Sequence, residues 1–477
     1  MRLTRRDLIA GGSGFLLAGR AARAALGAVD ALAAADGNVV RFVSRPDLKP
    51  PTLTVDRPGG AGRGYVFLAP SSGPGQRGAM IVDDAGELVW FHPVAHKAAA
   101  DFKVALYRGK PVLTWWEGKV VKGLADGEWV VVDSSYRELT RLSAARGRHG
   151  DLHELVITPD DTALVTSNET VTWDLTSVGG SRRGQVVGGV VQELELPSGR
   201  LIREWRSLEH VAVDETEIRA APGPRFDYFH VNAIDVAPDG DLVVSARNTW
   251  AAYKVNRHSG RIRWRLGGRR SDFAFGPGAR FEWQHGVREH ANGLVSVFDN
   301  AAAPQEEPQS RALLLALDTK RMRVSLVRAY THRPERVLSH FLGNAQLLGD
   351  GDVFVGWGGS PYVTEFTRDG AIAFDAHLPH GGQSYRAFRF PWVGRPTDRP
   401  ALAVRGHTLY ASWNGATEVA SWQLLEGASA SDLRPGPTVT RNGFETTLTA
   451  GAQTRSAAVV ALDRGGAPLG RSPAVEL

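Results

Sequence analysis

The sequence of 477 residues predicts an all-β fold, a six-bladed β-propeller followed by a small C-terminal β-sandwich. Helical periodicity is scarce, whereas short apolar or β-branched runs alternate with turns rich in Gly, Asp and Asn. The 54 glycines and 26 prolines imply many turns. A four-strand pattern also recurs along most of the chain, and such repeats indicate units that stack on one another.

The clearest repeat begins at His230 and contains four strand-like runs joined by tight turns at residues 238–240 and 259–260. A four-stranded unit cannot bury both of its faces alone, so neighbouring units should close into a ring that leaves no free edges. We count six such units, and a ring of five or seven stays open. The repeats cover residues 79–91, 102–132, 151–205, 230–266, 285–327 and 343–374.

Three regions follow from this pattern: a leader at 1–35, the propeller at 36–398 and the sandwich at 399–477. From residue 399 onward the short strands no longer follow the repeat. A segment of about 80 residues has the size of a small β-sandwich. It is similar to the fibronectin type III-like or immunoglobulin-like appendages of other proteins, and it carries no identifiable chemistry.

The first 35 residues are predicted to be an export leader. Arg5 and Arg6 precede a weakly apolar stretch at 10–19, and alanine-rich sequence follows where a peptidase could cut. The pattern resembles a twin-arginine signal, which exports folded cargo, although Arg-Arg pairs also occur by chance further along the chain. We therefore expect an extracytoplasmic protein, either secreted or associated with the cell envelope.

Composition excludes several kinds of function. The chain has no cysteine, which excludes disulfides, thiolate nucleophiles and cysteine metal sites. No segment after the leader offers the roughly 20 uncharged apolar residues of a spanning helix, so we expect no membrane span in the mature chain. The net charge is +5, but five arginines and two aspartates of residues 1–35 account for more than half of it. No clustered basic face is left to bind nucleic acid.

Histidines recur where the repeats begin, at His153, His230, His285 and His340. Ring closure would bring equivalent positions of different repeats together on the axis. Histidine exchanges protons near neutral pH, and its neutral ring is a nucleophile. For any single histidine, a structural hydrogen bond at the start of a strand is the alternative. Their recurrence together predicts a shared pocket.

Polar and aromatic residues accompany these histidines. Strand alternation sends His230 and Asn232 to the same side, and Arg247 lies on the next strand, where it can return beside them. A guanidinium fork suits an oxyanion such as sulfate or phosphate. Aromatic residues nearby add apolar surface: Tyr228, Phe229 and Trp283. Together these residues predict a site for an aromatic anion.

Over roughly residues 40–395 the sequence resembles the bacterial arylsulfate sulfotransferase family. The most specific feature is a His-x-Asn triplet with an Arg downstream. The resembling stretches are 151–154, 227–235, 245–250, 284–285 and 297–300. Members of this family are exported six-bladed propellers that move a sulfuryl group between phenols without a nucleotide sulfate donor. The resemblance implies an aromatic sulfate donor, a phenolic acceptor and no cofactor.

The same resemblance implies roles for individual residues. His285 matches the histidine that becomes transiently sulfurylated. His230, Asn232 and Arg247 match the groups that hold the sulfate, and His153 matches a histidine that assists proton transfer. The remaining candidates are expected to contact substrate: Tyr228, Phe229, Trp283, Asn300 and His340.

Two other functions stay open at this point. A propeller of this kind could bind a polymer or a partner protein without catalysing a reaction. Three converging histidines could also hold a metal ion in an ester hydrolase. The neighbouring Arg247 argues against the metal, because a guanidinium cannot ligate a cation and repels it.

Overall fold

A computed structural model of the protein describes residues 37–60, 63–121, 124–221 and 223–477. The predicted leader at 1–35 lies outside these residues. Within them the regular structure is almost entirely strand, which confirms the all-β class. The helical segments of the described chain are single 3₁₀ turns: Thr176–Val178, Ser207–Glu209, Val213–Glu215 and Ala291–Gly293.

The strands of the N-terminal part are short and joined by tight turns. They are β1 (Thr54–Arg57), β2 (Tyr65–Ser72), β3 (Gly78–Val82), β4 (Leu88–Pro93), β5 (Ala98–Tyr107), β6 (Lys110–Val121), β7 (Leu124–Val132), β8 (Glu138–Leu142), β9 (Gly150–Ile157), β10 (Thr162–Trp173), β11 (Gly184–Glu195) and β12 (Leu201–Arg206).

The middle part continues the same pattern as far as residue 390. Its strands are β13 (Phe226–Asp227), β14 (Val231–Val236), β15 (Leu242–Ala246), β16 (Ala251–Val255), β17 (Ile262–Gly267), β18 (Ala274–Phe275), β19 (His285–Glu289), β20 (Leu294–Asp299), β21 (Arg311–Asp318), β22 (Arg323–Tyr330), β23 (Asn344–Leu347), β24 (Val353–Gly356), β25 (Tyr362–Phe366), β26 (Ile372–His377) and β27 (Gln383–Phe390).

These strands pair as antiparallel meanders, an arrangement typical of propeller blades. The meander β14-β15-β16-β17 stands alone, β18 joins β19-β20-β21-β22, and β1 joins β23-β24-β25-β26. A nine-stranded sheet contains the meanders β5 to β8 and β9 to β12, with β13 added to β11. These two meanders are linked by one pairing of β7 with β9, at Gly127 and Gly150.

One sheet combines the two ends of this region. Its order is β27-β2-β3-β4, so a strand from near residue 390 pairs with strands from residues 65–93. The first strands of the meanders contact one another in a closed cycle, from β27 to β5, β9, β14, β19, β23 and back to β27. The beginnings of these strands therefore surround a common axis.

Local sequence explains the meanders. Gly240 turns the chain between β14 and β15 with φ of 83°, a conformation that glycine adopts without strain. All five residues of β15 and of β16 are buried, because the sheet is covered on both faces. Continuous apolar runs rather than strict alternation are expected for such strands.

The C-terminal part forms two further sheets: β28-β29-β32, and β31-β30-β33 with β34 and β35. The strands are β28 (Ala401–Arg405), β29 (Thr408–Ser412), β30 (Ser421–Gly427), β31 (Arg434–Thr440), β32 (Glu445–Thr449), β33 (Ser456–Leu462), β34 (Pro468–Arg471) and β35 (Val475–Glu476). Leu409, Trp422 and Leu448 belong to one apolar core that both sheets share. Asn414 fixes this part to β4, because its side chain exchanges two hydrogen bonds with the backbone of Phe91.

Candidate functional site

Three histidines from different meanders meet on the axis. His153 lies in β9, His230 immediately precedes β14, and His285 opens β19. The ring centroids of His153 and His230 are 5.1 Å apart, and those of His153 and His285 are 6.4 Å apart. The ring of Tyr385, from the closing strand β27, is nearly perpendicular to that of His153, with the two centroids 5.5 Å apart. We call the space around these rings the histidine cavity.

His285 is held in one tautomer by an amide. Its Nδ1 is 2.7 Å from Oδ1 of Asn300. The Nδ2 group of Asn300 donates to the carbonyls of Ser339 and Leu342, both at 2.9 Å, so the orientation of the amide is fixed. Its oxygen can only accept, and Nδ1 of His285 must therefore carry the hydrogen. The lone pair of the ring is therefore on Nε2, the atom that can act as a nucleophile.

The surroundings keep this imidazole neutral. His285 is only 1 % exposed. Burial lowers the pKa of His285 well below its usual value, and the positive charge of Arg247 lowers it further, with smaller contributions of the same sign from His153 and His230. A histidine that stays unprotonated near neutral pH keeps its nucleophilic form.

The other two histidines have carboxylate partners instead. Nδ1 of His153 is 2.6 Å from Oδ2 of Asp151, and Nδ1 of His230 is 2.7 Å from Oδ2 of Asp227. Each carboxylate can only accept, so it fixes the tautomer with the hydrogen on Nδ1. The Nε2 atoms of both rings make no hydrogen bond with the residues that the structure describes.

The backbone around His230 is strained and firmly held. His230 has φ of 56°, a left-handed conformation that is uncommon for a residue with a side chain. Its N–H donates to Oδ1 of Asp227 at 3.0 Å, and its carbonyl accepts from the N–H of Arg247 at 3.0 Å. Strain of this kind persists where surrounding contacts determine the conformation, and it is concentrated at functional sites.

Arg247 follows β15 and lies beside His230, the neighbour that the sequence predicts. Its guanidinium carbon is 4.5 Å from the ring centroid of Trp283, and its nitrogens donate to Oδ1 of Asn248 and the carbonyl of His340, both at 3.2 Å. Burial lowers the pKa of Arg247 to about 10, so it stays a cation at neutral pH. Within the described ranges no carboxylate forms an ion pair with it, which leaves its charge available to an anion.

Asn232 supports the segment that carries His285. Its side chain is fully buried, and Nδ2 donates to the carbonyl of Gln284 at 2.6 Å. Gln284 in turn donates to the carbonyls of Ala246 and Ala251, at 3.0 and 3.1 Å. The His-x-Asn triplet and the Gln-His pair are therefore one connected unit.

A second group of ionisable residues lies next to the cavity along the axis. We call it the axial ion cluster: Asp101, Lys103, Glu154, Arg288 and Arg386. Arg386 donates to Asp101 at 2.7 Å and to Glu154 at 2.8 Å, and Lys103 and Arg288 also contact Glu154. Burial alone would raise the pKa of Glu154, but its three cations outweigh burial and lower it. The cluster joins β5, β9, β19 and β27.

Two of the predicted substrate contacts lie in the protein core. Tyr228 and Phe229 are 0 % exposed and belong to the apolar core between neighbouring sheets. The Tyr228 hydroxyl donates to the carbonyl of Val211 at 3.1 Å. Both faces of these sheets are covered, so two consecutive aromatic residues are buried together. His340 is exposed and meets Arg247 through its backbone carbonyl rather than its ring.

Sequence reasoning missed several residues that complete the cavity. Asp151 and Asp227 lie within the stretches that resemble a known family, at Asp-x-His and Asp-x-x-His spacings that could have signalled a carboxylate–histidine pair. Asn300 was expected to contact substrate, whereas the structure places it behind His285. The sequence around Tyr385 contains no motif that would mark it as a site residue.

Neither a metal centre nor a membrane helix is found in the described part of the chain. No group of three or more His, Asp or Glu side chains there is arranged to hold a metal ion. The helices found within the same ranges are too short to cross a bilayer.

Comparison with solved structures gives distant likenesses. A protein of unknown function from Bacteroides caccae is 14% identical with a TM-score of 0.41, over 68% of this chain and 98% of that one. The periplasmic gluconolactonase of Pseudomonas aeruginosa is 11% identical with a TM-score of 0.37, over 87% and 96%. Virginiamycin B lyase of Staphylococcus aureus is 8% identical with a TM-score of 0.36, over 76% and 97%.

No curated protein matches the chain. The sequence profile of the arylsulfotransferase (ASST) family matches residues 103–378, more than half of the chain, and this segment includes His153, His230, Arg247 and His285. The chain belongs to the arylsulfotransferase (ASST) family.

Proposed function

We propose that the protein is an aryl sulfotransferase that moves a sulfuryl group from a phenolic sulfate ester to a phenolic acceptor through a sulfohistidine at His285. The observation that carries this proposal is the amide-held tautomer of His285, which leaves the lone pair on Nε2 of a ring that lies 6.4 Å from the ring of His153. Arg247 supplies the unpaired cation that a sulfate requires, and Trp283 lies against that cation as an aromatic surface. Membership of the family supports the reaction class.

The proposed reaction has two balanced steps. Nε2 of His285 attacks sulfur, the bond from sulfur to the phenolic oxygen breaks, and a carboxylate-paired histidine gives that oxygen a proton. The acceptor phenol then returns its proton to the same histidine and attacks sulfur, which releases His285. Transfer of this kind passes through a loose transition state with charge on the peripheral oxygens, so Arg247 and the histidines act mainly by position and charge.

The architecture that we propose for this activity has six blades at 36–398 and a fibronectin-like or immunoglobulin-like sandwich at 399–477. The closed cycle of β27, β5, β9, β14, β19 and β23 supports the six blades, and the core shared by two sheets supports the sandwich. The proposal includes export by the twin-arginine route and an extracytoplasmic location, and it requires no cofactor, metal or nucleic acid.

The reaction is tested with 4-nitrophenyl sulfate as donor and phenol as acceptor. We expect release of nitrophenolate that depends on phenol, with ping-pong kinetics. Release in water alone would instead indicate a sulfohydrolase. No release, combined with tight binding of aryl sulfates, would indicate a binding protein and contradict the proposal.

The variant His285→Ala tests the nucleophile. We expect a loss of kcat of at least about 10⁴-fold, and the acid-labile sulfuryl adduct seen on the wild-type protein by mass spectrometry should disappear. Stability should fall by about 1 to 3 kcal/mol, since the buried oxygen of Asn300 loses its hydrogen-bond partner.

His290→Ala is the matched control for His285→Ala. His290 is a second partly buried histidine directly after β19, and it hydrogen-bonds Ser296 rather than a cavity residue. Its replacement should leave transfer intact. If His285→Ala transferred sulfate at the wild-type rate, the sulfohistidine would be excluded.

A further inference from the structure

The partners of the three cavity histidines differ in charge. His285 faces the neutral amide of Asn300, whereas His153 and His230 face the carboxylates of Asp151 and Asp227. An amide oxygen fixes a tautomer without a formal negative charge, and a carboxylate also stabilises the imidazolium. The cavity therefore contains one histidine suited to attack and two suited to carry a proton.

The two carboxylate pairs are not equivalent. The side chain of His230 is 23 % exposed and that of Asp227 16 %, against 10 % and 4 % for His153 and Asp151. His153 lies between the other two rings, in contact with both and with Tyr385. His230 is at the open side, beside Arg247. We therefore place the aryl group of a donor at the more exposed pair, beside His230 and Arg247, since His153 is flanked by the rings of His285 and Tyr385.

Asp227 also holds His230 with two hydrogen bonds rather than one. One carboxylate oxygen takes the Nδ1 hydrogen and the other takes the backbone N–H, while the Asp227 carbonyl accepts from Nδ2 of Asn248 at 2.7 Å. This arrangement fixes both the ring and its left-handed backbone. Nε2 of His230 is thereby held in one direction.

We propose that Asp227 is a positioning residue for proton transfer, which holds His230 so that its Nε2 delivers the proton to the departing phenolate. This proposal rests on the proposed sulfotransferase function. As the bond from sulfur to the aryl oxygen breaks, the electron pair stays on oxygen and takes the Nε2 proton, which leaves His230 neutral. The acceptor phenol then restores that proton when it attacks the sulfuryl group on His285.

The test measures the activity of the Asp227→Asn variant with two sulfate donors, phenyl sulfate and 4-nitrophenyl sulfate. Departure of 4-nitrophenolate needs little assistance because its negative charge is delocalised, whereas phenolate is a much stronger base. An amide oxygen at position 227 would keep the backbone N–H of His230, so the amide N–H would face Nδ1 and disfavour the doubly protonated ring that acts as the acid. We expect kcat/KM to fall about 100-fold for phenyl sulfate and less than about fivefold for 4-nitrophenyl sulfate.

Asp151→Asn is the matched control, since it makes the same chemical change at the deeper pair. It should reduce the rates of both donors by one common factor. If Asp151→Asn alone showed the dependence on the leaving group, His153 would be the donor and the proposal would be overturned. Equal losses for both donors with Asp227→Asn would overturn it as well.

Two further measurements separate this proposal from misfolding and from failure of the proposed function. Asp227→Glu keeps a carboxylate and should recover part of the phenyl sulfate activity, and thermal melting checks that each variant is folded. A double variant of Asp227→Asn with His230→Gln should lose no more than His230→Gln alone. Wild-type protein without any phenol-dependent transfer would refute the sulfotransferase function itself.

Discussion

The histidine cavity and the axial ion cluster lie next to each other on one axis. They differ in whether their charged groups form ion pairs. In the cluster each cation of Lys103, Arg288 and Arg386 contacts a carboxylate. In the cavity Arg247 forms no ion pair with the described residues, and the three histidine Nε2 atoms have no partner among them. Paired charges hold the strands together, and unpaired ones are left for a ligand.

A single strand serves both groups. In β9, His153 points to the cavity and the next residue, Glu154, belongs to the cluster. The closing strand also connects the two groups. The Tyr385 hydroxyl and a nitrogen of Arg386 both donate to the carbonyl of Asn232, at 3.1 and 2.9 Å. Because the cluster fixes these backbones, the cavity can keep its own groups unpaired.

Removing a paired charge should have the largest effect on the fold. Arg386→Met leaves Asp101 and Glu154 buried with fewer cations, and we expect the free energy of unfolding to fall by about 3 to 5 kcal/mol. Chemical denaturation measures this. The exposed pair of Arg395 with Glu418 is the control, and Arg395→Met should leave the midpoint unchanged. An unchanged midpoint for Arg386→Met would refute a structural role for the cluster.

Changing the unpaired cation should affect activity rather than the fold. Arg247→Lys keeps the charge but loses the planar fork that lies against Trp283. We expect kcat/KM for 4-nitrophenyl sulfate to fall about 100-fold, within the usual range for one lost electrostatic contact. Arg137→Lys, at an exposed arginine, is the control. Retention of most activity would show that Arg247 does not grip the sulfate.

The smallest expected effect is a displaced pH profile. Burial and the nearby Arg247 lower the pKa of His285, so its nucleophilic form persists as the pH falls below 6.5. With 4-nitrophenyl sulfate, the acid limb of kcat/KM should have its midpoint clearly below pH 6.5. A midpoint at or above 6.5 would contradict a buried, neutral nucleophile. Arg247→Lys keeps the neighbouring charge and should leave this midpoint nearly unchanged.

The local sequence pattern was sufficient to predict the strands and the proximity of His230 to Arg247. The strand-like runs between the predicted turns at 238–240 and 259–260 form β15 and β16, and the turn at 238–240 returns Arg247 to the backbone of His230. Alternation along a strand and turn chemistry act over a few residues, so a single sequence reveals them.

Burial and closure could not be predicted in this way. Tyr228 and Phe229 are in the core because sheets cover them from both sides, and a local pattern does not show which faces are covered. Tyr385 and Arg386 reach the site because β27 pairs with β2, more than 300 residues earlier in the chain. Only the closed ring brings these residues together.

The closing strand also affects the stage of synthesis at which the site can be assembled. A nascent chain that ends before β27 has no Arg386 to join Asp101 to Glu154 and no Tyr385 beside His153. His153, His230 and His285 all precede β27 in the chain, but the contacts that orient them are incomplete without that strand. We therefore expect the histidine cavity to assemble after the chain beyond residue 390 has been synthesised.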